Sequence, residues 1–456
     1  MQKIVLIRPK YQSHIITPPL GIGYLSSYLR KNGIEVKIID ALKDNLSLNE
    51  VVKIILKEKP NAVGITCLTA FYIEVCKLSR MLKKYNLKVI IGGVHPTFLP
   101  YQTLKDSQAD FVVCGEGEKA LLQIVKANFK PSRITGVYSP KNINKVKNTP
   151  FPLKAEAFTN LNKLPFPDWE QLDPNTYPLA PHGAIAKNFP IGIIMTTRGC
   201  PYMCAFCASQ KFYDRRIRFR TISNVMSEVK YLIKNYHIKE IHFEDDNLTL
   251  KREHVEKLCR ALIKNRINIS WACPNGIRAD RVDEKLLRLM KKAGCYFVAF
   301  GIESANPQIL KNIHKLETIE TITKAIGLTN KVGIESQGFF IFGLPGETKE
   351  TIQENIDFAK KSKLSRAQFM ILDIIPGSEL WYTLAGKFKP NWKKDSYKEP
   401  EWLPEGLTKK DLMDAQSRAF REFYLRPVTL YRFLRFVKPN QVRFLFQRFR
   451  EYRLFN

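Results

Sequence analysis

Short apolar runs alternate with amphipathic stretches over the first 135 residues. The first amphipathic stretch places Ile22, Leu25 and Leu29 at helical spacing and stops at Gly33, a residue type that commonly ends helices. Strict alternation of strands and helices predicts a parallel, doubly wound, Rossmann-like sheet that binds ligands at the carboxyl ends of its strands. The predicted strands cover residues 3–7, 36–39, 62–66, 88–91 and 110–114.

Six further apolar runs, each followed by a stretch of helical periodicity, occupy residues 189–385. Six βα units predict an incomplete TIM-type barrel, (β/α)6, with its chemistry at the carboxyl ends of the strands. The predicted strands cover residues 192–196, 240–244, 270–273, 297–303, 337–342 and 367–374. The predicted helices cover residues 223–235, 252–264, 284–292, 318–331 and 349–361.

Periodicity fades in two other parts of the chain. Residues 136–188 are rich in proline, and we expect them to form an interdomain linker packed across the domain boundary. Residues 386–456 form a basic, aromatic-rich region with a helix predicted over 408–425. Near its end, Val442, Leu445, Phe446 and Phe449 form an apolar stripe flanked by arginines. Such a stripe suits either an anionic membrane surface or packing against the barrel.

Charge and composition add a bias towards anionic partners. The chain has 456 residues and 73 Lys and Arg against 43 Asp and Glu, a formal net charge of +30. This field favours nucleic acid, anionic lipid or a phosphorylated substrate, although a generally basic proteome would give the same balance. The sequence shows neither a signal peptide nor a membrane-spanning apolar run, and its nine cysteines suggest no disulfide framework. We therefore expect a cytoplasmic protein.

Three closely spaced cysteines directly follow the first strand of the predicted barrel. Cys200, Cys204 and Cys207 form a C-x3-C-x2-C pattern, with Phe206 before the last cysteine. Three such thiolates can hold three irons of a [4Fe–4S] cluster and leave the fourth iron open to a small molecule. A structural zinc site is the main alternative, but it normally needs four ligands.

The cysteine loop resembles the signature of radical S-adenosylmethionine (SAM) enzymes. The resemblance implies that SAM chelates the open iron and that one electron, from a flavodoxin- or ferredoxin-type donor, cleaves it to a 5′-deoxyadenosyl radical. It also implies further SAM contacts at the strand ends: Asp245 on the amino group, Arg278 near the carboxylate, and Glu303 and Ser304 on the ribose. Segments containing Gly301, Gly343 and Pro376 also belong to the SAM site implied by this resemblance.

The first domain resembles the cobalamin-binding domain that precedes the barrel in one large subgroup of these enzymes. Thr66-x-Leu68 and the Gly92-Gly93 pair match elements that contact the nucleotide tail of cobalamin. The Asp-x-His-x-x-Gly element, whose histidine binds cobalt, is absent, so we expect either cobalamin without a protein histidine ligand or a domain that has lost cobalamin. The other residues predicted to lie near cobalamin are Pro19, Leu20, Gly21, Thr69, His95 and Glu116.

The two resemblances together imply a cobalamin-dependent radical SAM enzyme. We expect methylation of an unactivated carbon, with a lipid or isoprenoid substrate suggested by the basic aromatic tail and with peripheral contact to the inner face of an anionic membrane. One alternative is a cyclisation, rearrangement or oxidation without methyl transfer, as among relatives of the anaerobic protoporphyrin ring cyclase. Another is an RNA-modifying radical SAM enzyme. No RNA-binding module is visible, which makes a nucleic-acid partner the weaker expectation.

Overall fold

The computed structural model describes residues 2–130, 133–147, 149–182, 186–392 and 400–427. These residues divide into two compact units. The first comprises the described part of residues 1–182 together with 211–214 and 391–392. The second comprises the described residues of 183–210, 215–390 and 394–456.

A six-stranded sheet with the order β2-β1-β3-β4-β5-β6 forms the centre of the first unit. The first five strands pair in parallel, as the alternating pattern predicted, and β6 is antiparallel to β5. The strands are β1 (Lys3–Arg8), β2 (Glu35–Asp40), β3 (Ala62–Thr66), β4 (Lys88–Gly92), β5 (Phe111–Val113) and β6 (Val137–Tyr138). The helices are α1 (Leu20–Lys31), α2 (Leu48–Glu58), α3 (Tyr72–Lys83), α4 (Val94–Phe98), α5 (Pro100–Ser107) and α6 (Glu118–Lys126).

Continuous apolar runs produce strands that are buried on both faces. In β1, Ile4, Val5 and Ile7 are fully buried, and Leu6 is nearly so. This pattern is typical of a parallel sheet covered by helices on both sides. One consequence is that polar groups near the sheet concentrate at the strand ends.

The stretch predicted to be a linker packs within the first unit up to His182. The carboxylate of Asp168 accepts hydrogen bonds from Ser26 Oγ at 2.6 Å and from the Arg30 guanidinium of α1 at 2.9 Å. Gln171 exchanges side-chain hydrogen bonds with the backbone of β2, accepting from Ile38 N and donating to Val36 O. Residues 136–182 therefore extend the first unit, because their buried polar side chains find partners on α1 and β2.

Six parallel strands form the main sheet of the second unit, in the order β14-β13-β12-β11-β10-β7. They are β7 (Ile191–Ile194), β10 (Glu240–Phe243), β11 (Ser270–Ile277), β12 (Cys295–Glu303), β13 (Glu335–Phe342) and β14 (Arg366–Ile371). A separate two-stranded antiparallel pair consists of β8 (Thr197–Arg198) and β9 (Arg218–Phe219). The six predicted βα repeats are thus confirmed, with neighbouring repeats pairing in sequence order.

The helices alternate with these strands and extend beyond the last one. They are α7 (Ser209–Phe212), α8 (Ile222–Tyr236), α9 (Arg252–Lys264), α10 (Glu284–Lys292), α11 (Pro307–Asn312), α12 (Ile319–Lys331), α13 (Lys349–Lys361), α14 (Glu379–Thr383) and α15 (Lys409–Tyr424). Short 3-10 turns occur at Thr69–Phe71, Ile143–Val146, Leu161–Lys163, Pro174–Thr176, Leu248–Leu250 and Ala279–Arg281.

The last described helix, α15, covers the edge strand β14. Tyr424 Oη donates to Ala367 O at 2.9 Å, and Gln416 Nε2 donates to Phe369 O at 2.8 Å. The fully buried Phe423 packs near Phe369. Helix α15 therefore satisfies backbone groups that an uncovered edge would leave open. The apolar stripe predicted over 442–449 lies outside the described residues, and no helix within the described ranges has the length and apolarity to cross a bilayer.

Candidate active site

The cysteine loop follows β8 in the second unit. Cys200, Cys204 and Cys207 are all partly exposed, and Cys207 N donates to Cys204 O at 3.0 Å. Ala205 N donates to Ile313 O at 2.9 Å, which attaches the loop to the end of α11. Burial raises the pKa of Cys200 to about 11 and of Cys207 to about 12, so binding of a metal cluster would release protons from these thiols.

The donor chemistry of the loop fits an iron–sulfur cluster. In the parts of the chain that are described, no three His, Cys, Asp or Glu side chains converge closely enough to hold a single metal ion. A [4Fe–4S] cluster does not require such convergence, because each cysteine binds a separate iron. The three partly exposed thiols of one loop therefore match the predicted cluster better than they match a structural zinc ion.

Arg278, predicted near the SAM carboxylate, holds the cysteine loop. Its guanidinium carbon lies 3.7 Å from the ring centre of Tyr202, which stands between two of the cysteines. The guanidinium also donates to Lys315 O at 2.9 Å and to Leu316 O at 2.8 Å, and its Nε donates to Asp280 at 2.9 Å. These partners already engage all three guanidinium nitrogens, so the contact with the SAM carboxylate stays a prediction.

The neighbouring acids Asp245 and Asp246 have different surroundings. Asp245 is buried and accepts from Thr196 Oγ1 at 2.8 Å and Thr197 Oγ1 at 2.5 Å, and burial raises its pKa to about 6. Asp246 is exposed, accepts from Gly199 N at 3.2 Å, and its charge adds to burial in raising the pKa of the Cys200 thiol. The contact of Asp245 with the SAM amino group stays a prediction. Asp246, which the sequence analysis did not single out, accepts from the backbone next to Cys200.

The end of β12 carries Gly301, Glu303 and Ser304. Glu303 is buried, has a left-handed φ of 65°, and accepts from Lys315 Nζ at 3.0 Å. Ser304 is fully buried, with its Oγ 3.3 Å from Asn355 Oδ1. Both residues predicted on the ribose are thus buried and have partners within the fold, and their contacts with the ribose stay predictions.

An apolar cluster brings Phe206 together with segments near Gly343 and Pro376. Phe206 packs against a core that includes Leu344 after β13 and Ile374 after β14. These contacts bring together the aromatic residue of the cysteine loop and two segments predicted at the SAM site. Gly343 itself has a φ of 88° and donates its N–H to the Glu347 carboxylate.

The residues predicted near cobalamin gather at the carboxyl ends of β3 and β4 in the first unit. Gly93 has a φ of 120°, and a Cβ there would lie 2.5 Å from Cys67 O, so the fold itself requires this glycine. Thr69 Oγ1 lies 3.1 Å from His95 Nδ1. The other nitrogen of this fully buried histidine, Nε2, has no hydrogen-bond partner among the described residues.

An unsatisfied buried nitrogen is the kind of group that a ligand completes. Burial lowers the pKa of His95 to about 3, so its imidazole is neutral. The His95 ring stacks on Tyr72 with centroids 4.1 Å apart, and Trp392 lies edge-on at 5.1 Å. Leu68, two residues past the end of β3, is 42% exposed. This arrangement fits a cobalamin site, and Trp392, which the sequence analysis did not identify, packs beside His95.

The other predicted cobalamin residues border the same edge of the sheet. Thr66 ends β3, Gly92 ends β4, and Glu116 precedes α6. Pro19, Leu20 and Gly21 stand at the start of α1. The cobalt-binding motif, which would follow β1, is absent. Strand β1 ends at Arg8, whose Nε and Nη2 donate to the two carboxylate oxygens of Asp40 at 2.8 and 2.6 Å. The assignment of these residues to cobalamin remains a prediction.

Comparison with known proteins finds a match in two separate parts of the chain. Residues 12–125 match the B12 binding domain, and residues 194–359 match the Radical SAM superfamily. An uncharacterised methyltransferase of Pyrococcus horikoshii is 34% identical over 94% of this chain and 94% of that protein. The chain belongs to the cobalamin-dependent radical SAM enzymes. Members of this family use a [4Fe–4S] cluster, SAM and cobalamin, as the two sequence resemblances implied.

Other relatives of this cobalamin-dependent radical SAM enzyme carry out different reactions. The cytidylyl-2-hydroxyethylphosphonate methyltransferase of Streptomyces wedmorensis is 30% identical over 83% of this chain and 81% of that protein. The anaerobic magnesium-protoporphyrin IX monomethyl ester cyclase of Rubrivivax gelatinosus is 29% identical over 94% and 78%. The structure of the radical SAM methyltransferase TsrM from Kitasatospora setae shares the fold, with a TM-score of 0.71 at 17% identity over 97% of this chain and 90% of that one.

Proposed function

We propose that this enzyme methylates a carbon atom of a small molecule. When bound, the cluster and SAM supply a 5′-deoxyadenosyl radical, and cobalamin supplies the methyl group. The observation that carries the proposal is one chain with two matching sites: the cysteine loop of the second unit and the strand ends around the unsatisfied His95 nitrogen of the first. Two relatives that are 34% and 30% identical are named methyltransferases, which supports methyl transfer.

The chain's own residues would bind and orient these groups. Cys200, Cys204 and Cys207 would hold the iron, and Asp246, which accepts from Gly199 N next to Cys200, would meet the SAM ammonium. Phe206, backed by an apolar core, would pack against SAM and keep water away. The exclusion of water strengthens every electrostatic contact in such a site.

A ring closure or oxidation without methyl transfer is the second candidate. It is favoured by the 29% identity to a protoporphyrin ester cyclase, which extends over 94% of this chain. The substrate class rests on the sequence alone. The basic, aromatic-rich end of the chain supports our proposal of a lipid or isoprenoid substrate held at an anionic membrane surface.

The deciding experiment is anaerobic reconstitution with iron, sulfide and hydroxocobalamin, followed by incubation with methyl-labelled SAM, a reductant and host lipid extract. Methyl transfer predicts labelled product with S-adenosylhomocysteine and 5′-deoxyadenosine in equal amounts. Label-free product with 5′-deoxyadenosine would select the second candidate. C204A is the negative control, and C76A, which changes a buried cysteine of the first unit, is its matched counterpart. Reconstituted protein without iron would contradict both candidates.

A further inference from the structure

Four charged side chains form a buried charge cluster beside the cysteine loop. Its members are Arg278, Glu303, Lys315 and Glu317, and each is at most 7% exposed. Lys315 Nζ lies 3.0 Å from Glu303 Oε1 and 3.5 Å from Glu317 Oε2. The Arg278 guanidinium lies 3.7 Å from the same Glu317 oxygen. Burial of four charges is costly even when they are paired, so a cluster of this kind calls for a functional explanation.

The backbone around the buried charge cluster is strained. His314 and Leu316, on either side of Lys315, have left-handed φ values of 53° and 55°, and Glu303 has 65°. None of the three is a glycine, and such conformations are unfavourable for residues that have a Cβ. Leu316 is 69% exposed, while its neighbours Lys315 and Glu317 point inward. This turn therefore exposes the apolar side chain of Leu316 and buries the charged side chains of Lys315 and Glu317.

Several contacts connect the segments that carry this cluster to the cysteine loop. Ile313, two residues before Lys315, accepts from Ala205 N at 2.9 Å, and Arg278 stacks on Tyr202 at 3.7 Å. Room for the ammonium comes from Gly301, where a Cβ would lie 2.8 Å from Lys315 Nζ. The Arg278 guanidinium, which stacks on Tyr202 of the loop, also donates to Lys315 O. The turn that carries Lys315 is therefore connected directly to the cysteine loop.

We propose that Lys315 is a positioning residue whose buried positive charge compensates the electron taken up by the cluster on the cysteine loop. This inference rests on the proposed function, because it assumes that the loop holds an iron–sulfur cluster. Net charge and burial are among the main determinants of the reduction potential of such clusters. A fixed cation in a low-dielectric site stabilises the reduced, more negative state, while a carboxylate at the same distance disfavours it.

The test is a redox titration of the reconstituted enzyme with dithionite, followed by the electron paramagnetic resonance signal of the reduced cluster. K315M should shift the midpoint potential to more negative values, and K315R should keep most of the wild-type value. E317Q, which removes a negative charge from the same cluster, should shift it to less negative values. K311M changes an exposed lysine of α11 and should leave the potential unchanged. A merely structural role would not give shifts of opposite sign.

Equal potentials in K315M, E317Q and wild type, or shifts in the same sense, would overturn the proposal. If K315M does not assemble a cluster, the midpoint potentials of E317Q and K311M decide the question. The proposal then fails unless the potential of E317Q is less negative than that of K311M. Iron and sulfide analysis separates this inference from the proposed function. Wild-type protein that binds no iron refutes the proposed function, whereas normal iron with unshifted potentials refutes only the role of Lys315.

Discussion

At the scale of single residues, the backbone of Cys67 crowds Gly93 at the predicted cobalamin edge. A Cβ at position 93 would lie 2.5 Å from Cys67 O and would have to adopt a φ of 120°. G93A should therefore lower the free energy of unfolding of the first unit by at least about 1–3 kcal/mol and reduce the retention of hydroxocobalamin. Thermal melting and the cobalamin absorbance of gel-filtered protein measure both effects.

The matched control is Gly327 in helix α12, where a Cβ would meet no atom within 4 Å. Alanine is a better helix former than glycine by roughly 0.5–1 kcal/mol, so G327A should leave stability unchanged or raise it. Equal effects of the two substitutions would refute the crowding argument. Retention of cobalamin by a folded G93A variant would separate the fold requirement at this position from a role in binding.

We expect Glu347, in the loop between β13 and α13, to make a pH-dependent contribution to stability. Burial raises its pKa to about 8, although it accepts hydrogen bonds from Gly343 N and Asn355 Nδ2. The folded state therefore keeps a proton that the unfolded state has released, so stability falls as pH rises from the ordinary pKa of glutamate to about 8. Between about pH 6 and pH 8 the loss should be about 2–3 kcal/mol.

E347Q should remove this dependence, because the amide carries no charge at either pH. The measurement is the thermal midpoint of the anaerobic, reconstituted enzyme across this range. Wild type should lose stability relative to E347Q as pH rises, and E350Q, which changes an exposed carboxylate, should follow wild type. Parallel curves for wild type and E347Q would show that Glu347 already ionises at its ordinary pKa in the folded state.

The residues that could be predicted are those whose chemistry is local in sequence. The three cysteines lie within eight positions, so their spacing alone indicated the cluster. Sequence could not separate Asp245 from Asp246, because neighbouring residues after a strand point in opposite directions and only the fold decides which one is buried. The contact of Trp392 with His95 could not be predicted, because the two residues lie far apart in sequence. The burial of Lys315 could not be predicted either, because a lone lysine has no diagnostic spacing.

At the scale of elements, helix α15 covers the edge strand β14 of the second unit. Phe423 is fully buried beside Phe369 of β14 and Phe420 of the same helix face is also buried, whereas Leu425, just past the end of α15, is 49% exposed. F423A should destabilise the second unit by about 3–5 kcal/mol, because it leaves a cavity against the edge strand. L425A, measured in the same thermal melts, should cost far less. Similar losses for both would mean that α15 does not depend on this packing.

The long strands were predictable because a parallel sheet is buried on both faces and reads as continuous apolar runs. The two-residue strands β6, β8 and β9 carry no such run, and they were missed. Prolines hide the periodicity of residues 136–188, so the sequence predicts a linker there, and residues up to His182 pack within the first unit. The attachment of these residues depends on isolated polar side chains such as Asp168 and Gln171, whose partners on α1 and β2 are more than 130 positions away.

At the scale of the whole molecule, part of the formal net charge of +30 lies in the final residues. Positions 428–456, which lie outside the described residues, contain six Arg and one Lys against one Glu. A basic residue near an anionic membrane contributes about 1 kcal/mol, and salt screens this contribution. The full-length enzyme should therefore sediment with vesicles containing phosphatidylserine, less at high salt, and only weakly with phosphatidylcholine.

A variant that ends at Pro427 should lose this binding and keep its iron and cobalamin, since the residues predicted to hold them are all retained. Equal sedimentation of the two proteins, or unchanged turnover of a lipid substrate by the truncated enzyme, would contradict the membrane hypothesis and leave the cofactor assignments untouched.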